Sequence, residues 1–208
     1  YPEPNTVVNN LNFAYFLSEQ LGKGQFIYTQ IGGEQDPNSP VVLSLSESEL
    51  EKMIDVPRLP TNPPVLKDGS IYNIKFVGED LATNKTESDV VENVRYDITR
   101  PKISISYPPG NTFFLGTEIG MEVSEDLLEA VLIWTRTGGL PDDGSPHRMP
   151  LSDVLLKKGT YQDAPFPINE SLNTSAIYTL SVEGKDFADN DVEPVSYTHL
   201  TLPTRSTV

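Results

Sequence analysis

The residues of this chain best suited to chemistry are carboxylates: 30 acidic side chains stand against 15 basic ones, for a formal charge of -15. Four oxygen donors at the ends of β-rich runs form the one constellation that stands out: Asp97, Glu125, Asp186 and Asn190. Hard oxygens are what Ca²⁺ takes, six to eight of them at roughly 2.3–2.6 Å. The competing reading is that Asp and Asn close turns and Glu125 is solvated. Catalysis has less to work with. There is no cysteine for a thiolate nucleophile or metal site. A serine triad needs a histidine partnered by a carboxylate. His147 stands next to Arg148, in the loop region of Pro141 and Pro146, and reads as a surface residue. Paired carboxylates are as frequent as in any acidic protein and show no glycosidase spacing. Gly22-Lys-Gly24 and Gly138-Gly139 lack the spacing and the following helix of a phosphate loop. The expectation is a protein that is not an enzyme and binds no organic cofactor.

Composition narrows the class further. An acidic chain lacks the basic stripe that phosphate backbones require, so nucleic acid is excluded as a partner. No apolar run approaches the ~18 residues of a membrane span. At 208 residues, with 37% hydrophobic content, the chain has the length of one large domain or two small ones.

Self-similarity decides between those two. Tyr1-Pro2 and Asn5-Thr6 recur as Tyr107-Pro108 and Asn111-Thr112, an offset of 107 − 1 = 106 residues. The same offset, without a gap, carries the 27–33 run onto 133–139, Asp36 onto Asp142, and Asp80-x-Ala-x-Asn84 onto Asp186-x-Ala-x-Asn190. About 25 identities accumulate between 1–84 and 107–190, far above chance for an ungapped alignment. The chain is read as two copies of one module, over 1–97 and 101–194. The first copy lacks its first strand and the second lacks its last.

Each copy has the period-two pattern of strands. Leu11, Phe13, Tyr15 and Leu17 alternate along one face. Further strands are expected over 25–31, 41–45, 71–77 and 90–96, with a capping box at Ser46 and Glu49 opening a short helical turn. Four prolines in 57–64 mark an edge or loop segment. About seven short strands per ~100 residues predict an all-β fold: two immunoglobulin-like β-sandwich modules in tandem. Trp134, with Tyr28 at its place in the first copy, is the large aromatic that such a sandwich buries. Tyr72 and Tyr178 each follow a leucine by six residues, the spacing of a tyrosine corner.

The strings Ile27-Tyr-Thr-Gln-Ile-Gly-Gly33, Asp68-Gly-Ser-Ile-Tyr72, Gly78-Glu-Asp-Leu-Ala-Thr-Asn84 and Tyr96-Asp-Ile-Thr-Arg-Pro101 resemble tandem bacterial Ig-like repeats. They also resemble the related fibronectin type III modules of large secreted proteins. The resemblance implies an extracellular or cell-surface protein, a stalk or spacer with adhesive function and no catalytic residues. Its implied partners are neighbouring modules of the same chain, with a surface glycan or protein ligand. The alternative is an accessory region of a secreted hydrolase whose catalytic domain lies elsewhere. Where family members read Asp-Ala-Ala-Gly-Asn, this chain has Thr83 and Asp189 in place of the glycine. In an Ig sandwich, Glu125, Asp186 and Asn190 fall at the pole that receives the preceding module, and Asp97 lies in the arriving linker. That would place Ca²⁺ at the inter-module junction.

Residues 195–204, from Val195 to Thr204, resemble one reading frame of a sequencing-library adaptor. The tail 195–208 is therefore read as non-native. At the repeat offset it overlies the last strand of the first copy, and its composition is strand-prone.

Overall fold

The computed structural model describes residues 1–51, 53–110, 118–165 and 172–201. It divides into two compact units, Tyr1–Thr99 and Arg100–Val208, and each has its own apolar core. Unit 1 runs through β1 (Val7–Val8), β2 (Phe13–Phe16), β3 (Leu21–Gly33), β4 (Val41–Ser44), β5 (Met53–Arg58), β6 (Ser70–Asp80), β7 (Lys85–Glu87) and β8 (Val91–Tyr96). Unit 2 runs through β9 (Ile103–Tyr107), β10 (Glu118–Val123), β11 (Leu127–Gly139), β12 (His147–Pro150), β13 (Gly159–Pro165), β14 (Ala176–Asp186) and β15 (Val195–Thr201). The bounds of β3, β4 and β6 recur in β11, β12 and β14 with a shift of 106 residues at both ends.

Each unit is a two-sheet sandwich of immunoglobulin type. In unit 1 the larger sheet has the order β1-β8-β6-β3-β4, with β7 also on β6, and the smaller pairs β2 with β5. In unit 2 the sheets are β12-β11-β14-β15 and β13-β10-β9. Period-two sequence accounts for the burial. Along β6, Ser70, Tyr72, Ile74 and Phe76 point inward, and Ala176, Tyr178, Leu180 and Val182 do so along β14. Each fully buried Ile, Leu, Val or Phe side chain among them contributes roughly 1.5–3 kcal/mol. Trp134 and Tyr28 lie in the cores as expected, each edge-on to its corner tyrosine. The ring centroids are 6.2 Å apart for Trp134–Tyr178 and 6.3 Å for Tyr28–Tyr72.

The 195–201 segment is ordered on β14. Its pairs Ile177↔Thr201, Tyr178↔Leu200 and Leu180↔Tyr197 repeat Ile71↔Arg95, Tyr72↔Val94 and Ile74↔Val91 of β6 and β8, bulge included. An open strand edge presents a row of N–H and C=O groups that a strand-prone segment satisfies through backbone alone.

The capping box closes a single 3-10 turn, Glu47–Glu49. Its Glu49 is buried, and its two carboxylate oxygens accept from Ser46 N (2.7 Å), Ser46 Oγ (2.6 Å), Thr61 N (2.7 Å) and Thr61 Oγ (3.0 Å). Burial pushes this carboxyl up, but the hydrogen bonds from Ser46 and Thr61 together outweigh it and hold it below the usual range. In unit 2 the same place is taken by Leu155, an apolar plug, and the turn closes through Leu155 N to Ser152 O (2.8 Å). Glu49→Ala strips the acceptor from Ser46 N and Thr61 N, while the two hydroxyls retain each other at 3.1 Å, and is expected to destabilise unit 1 by about 2–3 kcal/mol in urea titrations followed by circular dichroism. A depressed folded pKa contributes stability above the unfolded value, about 4.3, that is lost as pH falls. The difference between parent and variant should therefore shrink in acid.

Candidate functional site

Asp186 and Asn190, two of the four residues expected to hold Ca²⁺, lie at the end of β14 in one closed turn. Asp186 is 2% exposed. Its Oδ1 accepts from Ala188 N (2.8 Å) and Asn190 N (2.9 Å), and its Oδ2 from Asn190 Nδ2 (2.9 Å). Asp80 does the same in unit 1, accepting from Ala82 N (2.7 Å), Asn84 N (2.9 Å) and Asn84 Nδ2 (2.7 Å). The shared Asp-x-Ala-x-Asn motif is thus a turn-closing device in both units. Glu125 is half-buried in the turn between β10 and β11 of unit 2. Asp97 belongs to unit 1, just past β8; its N–H donates to Val8 O (2.9 Å) and its Oδ1 accepts from Thr99 N (3.2 Å).

The fourth residue of each closed turn is left-handed, with φ 70 at both Thr83 and Asp189. This is the position where the resembling repeats carry glycine. A β-branched residue there is strained, because Cβ crowds the backbone. Thr83→Gly is expected to raise the stability of unit 1 by about 0.5–1 kcal/mol in the same urea titrations, since relief of that strain exceeds the entropy glycine adds to the unfolded chain. Asp189 holds an ion pair with Lys185 at 2.8 Å, so Asp189→Gly should gain less. Loss of stability in Thr83→Gly would show that the turn carries no strain.

A second polar cluster sits deep in each sandwich, at the opposite end of β6 and β14. Tyr72 Oη accepts from Lys67 N (3.0 Å) and donates to Asp36 Oδ2 (2.6 Å). Tyr178 Oη accepts from Asn173 N (2.9 Å) and donates to Asp142. These are the tyrosine corners, each tied to a buried aspartate that the spacing alone did not reveal. In unit 2 the aspartate has a further partner: His147 Nε2 lies 2.6 Å from Asp142 Oδ2.

His147 therefore corrects a sequence expectation. It is 4% exposed, the first residue of β12, and stacked edge-on to Tyr178. Its counterpart in unit 1, Val41, is also buried. The strand alternation of β4, read across the offset, was the signal that could have placed it. Hydrogen bonding from Tyr178, with that from His147 and Gly144, holds the Asp142 carboxyl below the usual range despite its burial. Burial, then the Asp142 carboxylate, pushes the Tyr178 phenol up to about 12. The three side chains resemble a relay, yet Tyr178 spends both its donor and its acceptor capacity inside the fold. The arrangement locks a loop to a strand.

Among the described residues, no helix is long and apolar enough to cross a membrane. The sequence matches no protein-family model and no curated protein sequence. Among solved structures, it is similar to the fibronectin(III)-like modules of CbhA from Clostridium thermocellum, at 14% identity over 100% of this chain and 94% of that one, with a TM-score of 0.39.

Proposed function

We propose that the chain is a non-catalytic structural region of an extracellular bacterial protein: two Ig-like modules acting as stalk or spacer, with adhesive capacity. The observation that carries this reading is the duplication itself. The same strand framework appears twice, each copy around its own core. The side chains that sequence or depth would nominate for chemistry (Asp36, Asp142, Asp186) are engaged in buried hydrogen bonds that hold loops. Such a region serves by folding independently and resisting extension. Pulling a single molecule from its ends is expected to give two separate unfolding events, each releasing about 30 nm, from roughly 3.4 Å for each of some 95 residues. One cooperative event would overturn the reading. The 195–204 segment is held to be adaptor-derived, so that deletion of 195–208 should change the melting temperature of unit 2 little in circular dichroism.

Calcium belongs to the same proposal, with Asp97, Glu125, Asp186 and Asn190 as its ligands. Weak extracellular sites have dissociation constants of about 10⁻⁴–10⁻³ M. Calorimetry with millimolar Ca²⁺ is expected to give saturable heat that is lost in Asp97→Asn and in Glu125→Gln. No heat from the parent chain would leave these residues as turn caps.

A further inference from the structure

The segment that connects the two units, residues 97–102, is short and mostly exposed. Asp97 is half-buried, Ile98, Thr99 and Arg100 are exposed, and Pro101 is buried. Apolar packing therefore holds little of it, and its order has to come from polar bonds. Those bonds fall into two sets. The first belongs to unit 1. Asp97 N donates to Val8 O (2.9 Å), continuing the pairing of β1 with β8. Beyond that rung the chain has left β8, yet the next two residues are still held. Ile98 N donates to Asp68 Oδ1 (2.8 Å), and Thr99 Oγ1 donates to Asp68 Oδ2 (2.6 Å). Thr99 N also donates to Asp97 Oδ1 (3.2 Å). Asp68 lies in the turn ahead of β6, which is tied to the end of β8 through Gly69 N and Tyr96 O (2.8 Å). One carboxylate thus grips two successive residues with charge-assisted bonds. At the repeat offset unit 2 has Thr174 in its place, so the module's framework does not itself need a carboxylate there.

The second set belongs to unit 2. Arg100 donates through Nε to Asp191 O (3.0 Å) and through Nη2 to Val192 O (3.1 Å). The planar guanidinium suits two adjacent carbonyls in a way that a lysine ammonium would not. Glu193 N donates to Pro101 O (2.8 Å). Lys102 N donates to Ser124 Oγ (2.8 Å) just before β9 begins, and Ser124 N donates back to Lys102 O (3.0 Å). Pro101 has its own φ fixed by the ring and biases Arg100 toward extended backbone. Each residue from 97 to 102 therefore has a bond to the unit it belongs to, and the change-over falls at the Thr99–Arg100 peptide.

We propose that Asp68 and Arg100 act as two clips that divide the linker completely between the units, leaving no free hinge residue and confining bending to the backbone around the Thr99–Arg100 peptide. Modules joined by a loose linker reorient freely by default. A spacer gains from the opposite, because slack at each connection shortens its effective reach. The clips need neither calcium nor an extracellular location, so they stand or fall apart from both.

The test uses the full chain, isotope-labelled, in the presence of a chelator, and reads amide order parameters from nuclear relaxation. In the parent, the amides of Ile98, Thr99, Arg100 and Lys102 are expected near the value of about 0.85 that marks rigid backbone. Asp68→Thr, which installs the unit 2 residue, should lower Ile98 and Thr99 below about 0.6 while Lys102 and β6 keep their values. Arg100→Ala should loosen position 100 and leave Ile98 and Thr99 in place. Thr99→Val, at an exposed site, removes one bond of the first clip and should give a smaller drop at positions 98 and 99. If Asp68→Thr loosens β6 as well, Thr99→Val decides, and no drop there would overturn the proposal. Parent values below about 0.6 at these amides would also overturn it. So would an equal drop across 98–102 in either clip variant, since the linker would then be one flexible piece.

Discussion

Gly139→Ala is expected to cost unit 2 about 2–5 kcal/mol, while Gly138→Ala, one residue away, changes its stability by less than about 0.5 kcal/mol. Gly139 has φ 70, where an L-residue pays about 1–2 kcal/mol before it touches anything. A Cβ built there lies 2.2 Å from Ser175 O and 2.9 Å from Ala176 Cα. Both are backbone atoms at the start of β14, so no rotamer change relieves the contact. The strand must shift, and forced shifts in a packed sandwich cost a further 1–3 kcal/mol or so. A Cβ at Gly138 would have the Ile177 side chain as its nearest neighbour, closest at the flexible Cδ1 end, 3.4 Å away. Gly33 repeats the first case in unit 1, with Gly69 O at 2.2 Å, and Gly32 the second, with Ile71 Cδ1 at 3.8 Å. Trp134 is the chain's one tryptophan and is wholly buried in unit 2. Its fluorescence in a denaturant titration therefore reads that unit alone. Equal midpoints for the two variants would mean the β11 turn has room that the backbone geometry denies.

The contrast between those two glycines also shows where sequence reasoning stopped. A Gly-Gly pair marks a turn, but nothing in its letters says which member is left-handed; that follows from the bulge between Arg136 and Gly138 in the pairing with β14. Strand existence was legible because alternation repeats in both copies, and agreement at a fixed offset is hard to obtain by chance. A strand without an apolar residue was not. β7 is three exposed residues with no apolar face, held by its ladder to β6 and by nothing a periodicity search would see. Burial of single polar residues was also hidden. Asp36 and Asp142 recur at the offset, yet an aspartate in a Gly-Pro-rich stretch looks like any turn residue until the tyrosine that meets it, 36 positions on, is placed beside it. His147 was hidden for a different reason. It breaks the repeat, and a residue without a counterpart reads as unconstrained, although its position in β12 had already been set by Val41.

That asymmetry sets the second large effect: Asp142→Ala should destabilise unit 2 by about 3–5 kcal/mol, and Asp36→Ala unit 1 by only about 1–3 kcal/mol. Removing Asp142 strips the acceptor from Tyr178 Oη, His147 Nε2 and Gly144 N together. Removing one partner of a buried charged network costs about 3–5 kcal/mol, because what is left has been desolvated without compensation. Asp36 serves only Tyr72 Oη and Asn38 N, with no imidazole beside it. Loss of ordinary buried hydrogen bonds costs about 1–3 kcal/mol. His147→Val, which installs the unit 1 arrangement, should cost less than about 1.5 kcal/mol, and in that background Asp142→Ala should cost visibly less than in the parent. The pH dependence has two limbs. Asp142 has a depressed folded pKa, so its contribution is present above the unfolded value, about 3.9, and is lost as pH falls below it. Tyr178 is raised to about 12, so its contribution is present below the unfolded value, about 10, and is lost as pH rises towards 12. Trp134 fluorescence midpoints across that range should converge for parent and Asp142→Ala in acid. A constant gap down to pH 2 would mean that the carboxylate's charge contributes nothing and only the shape of its side chain matters.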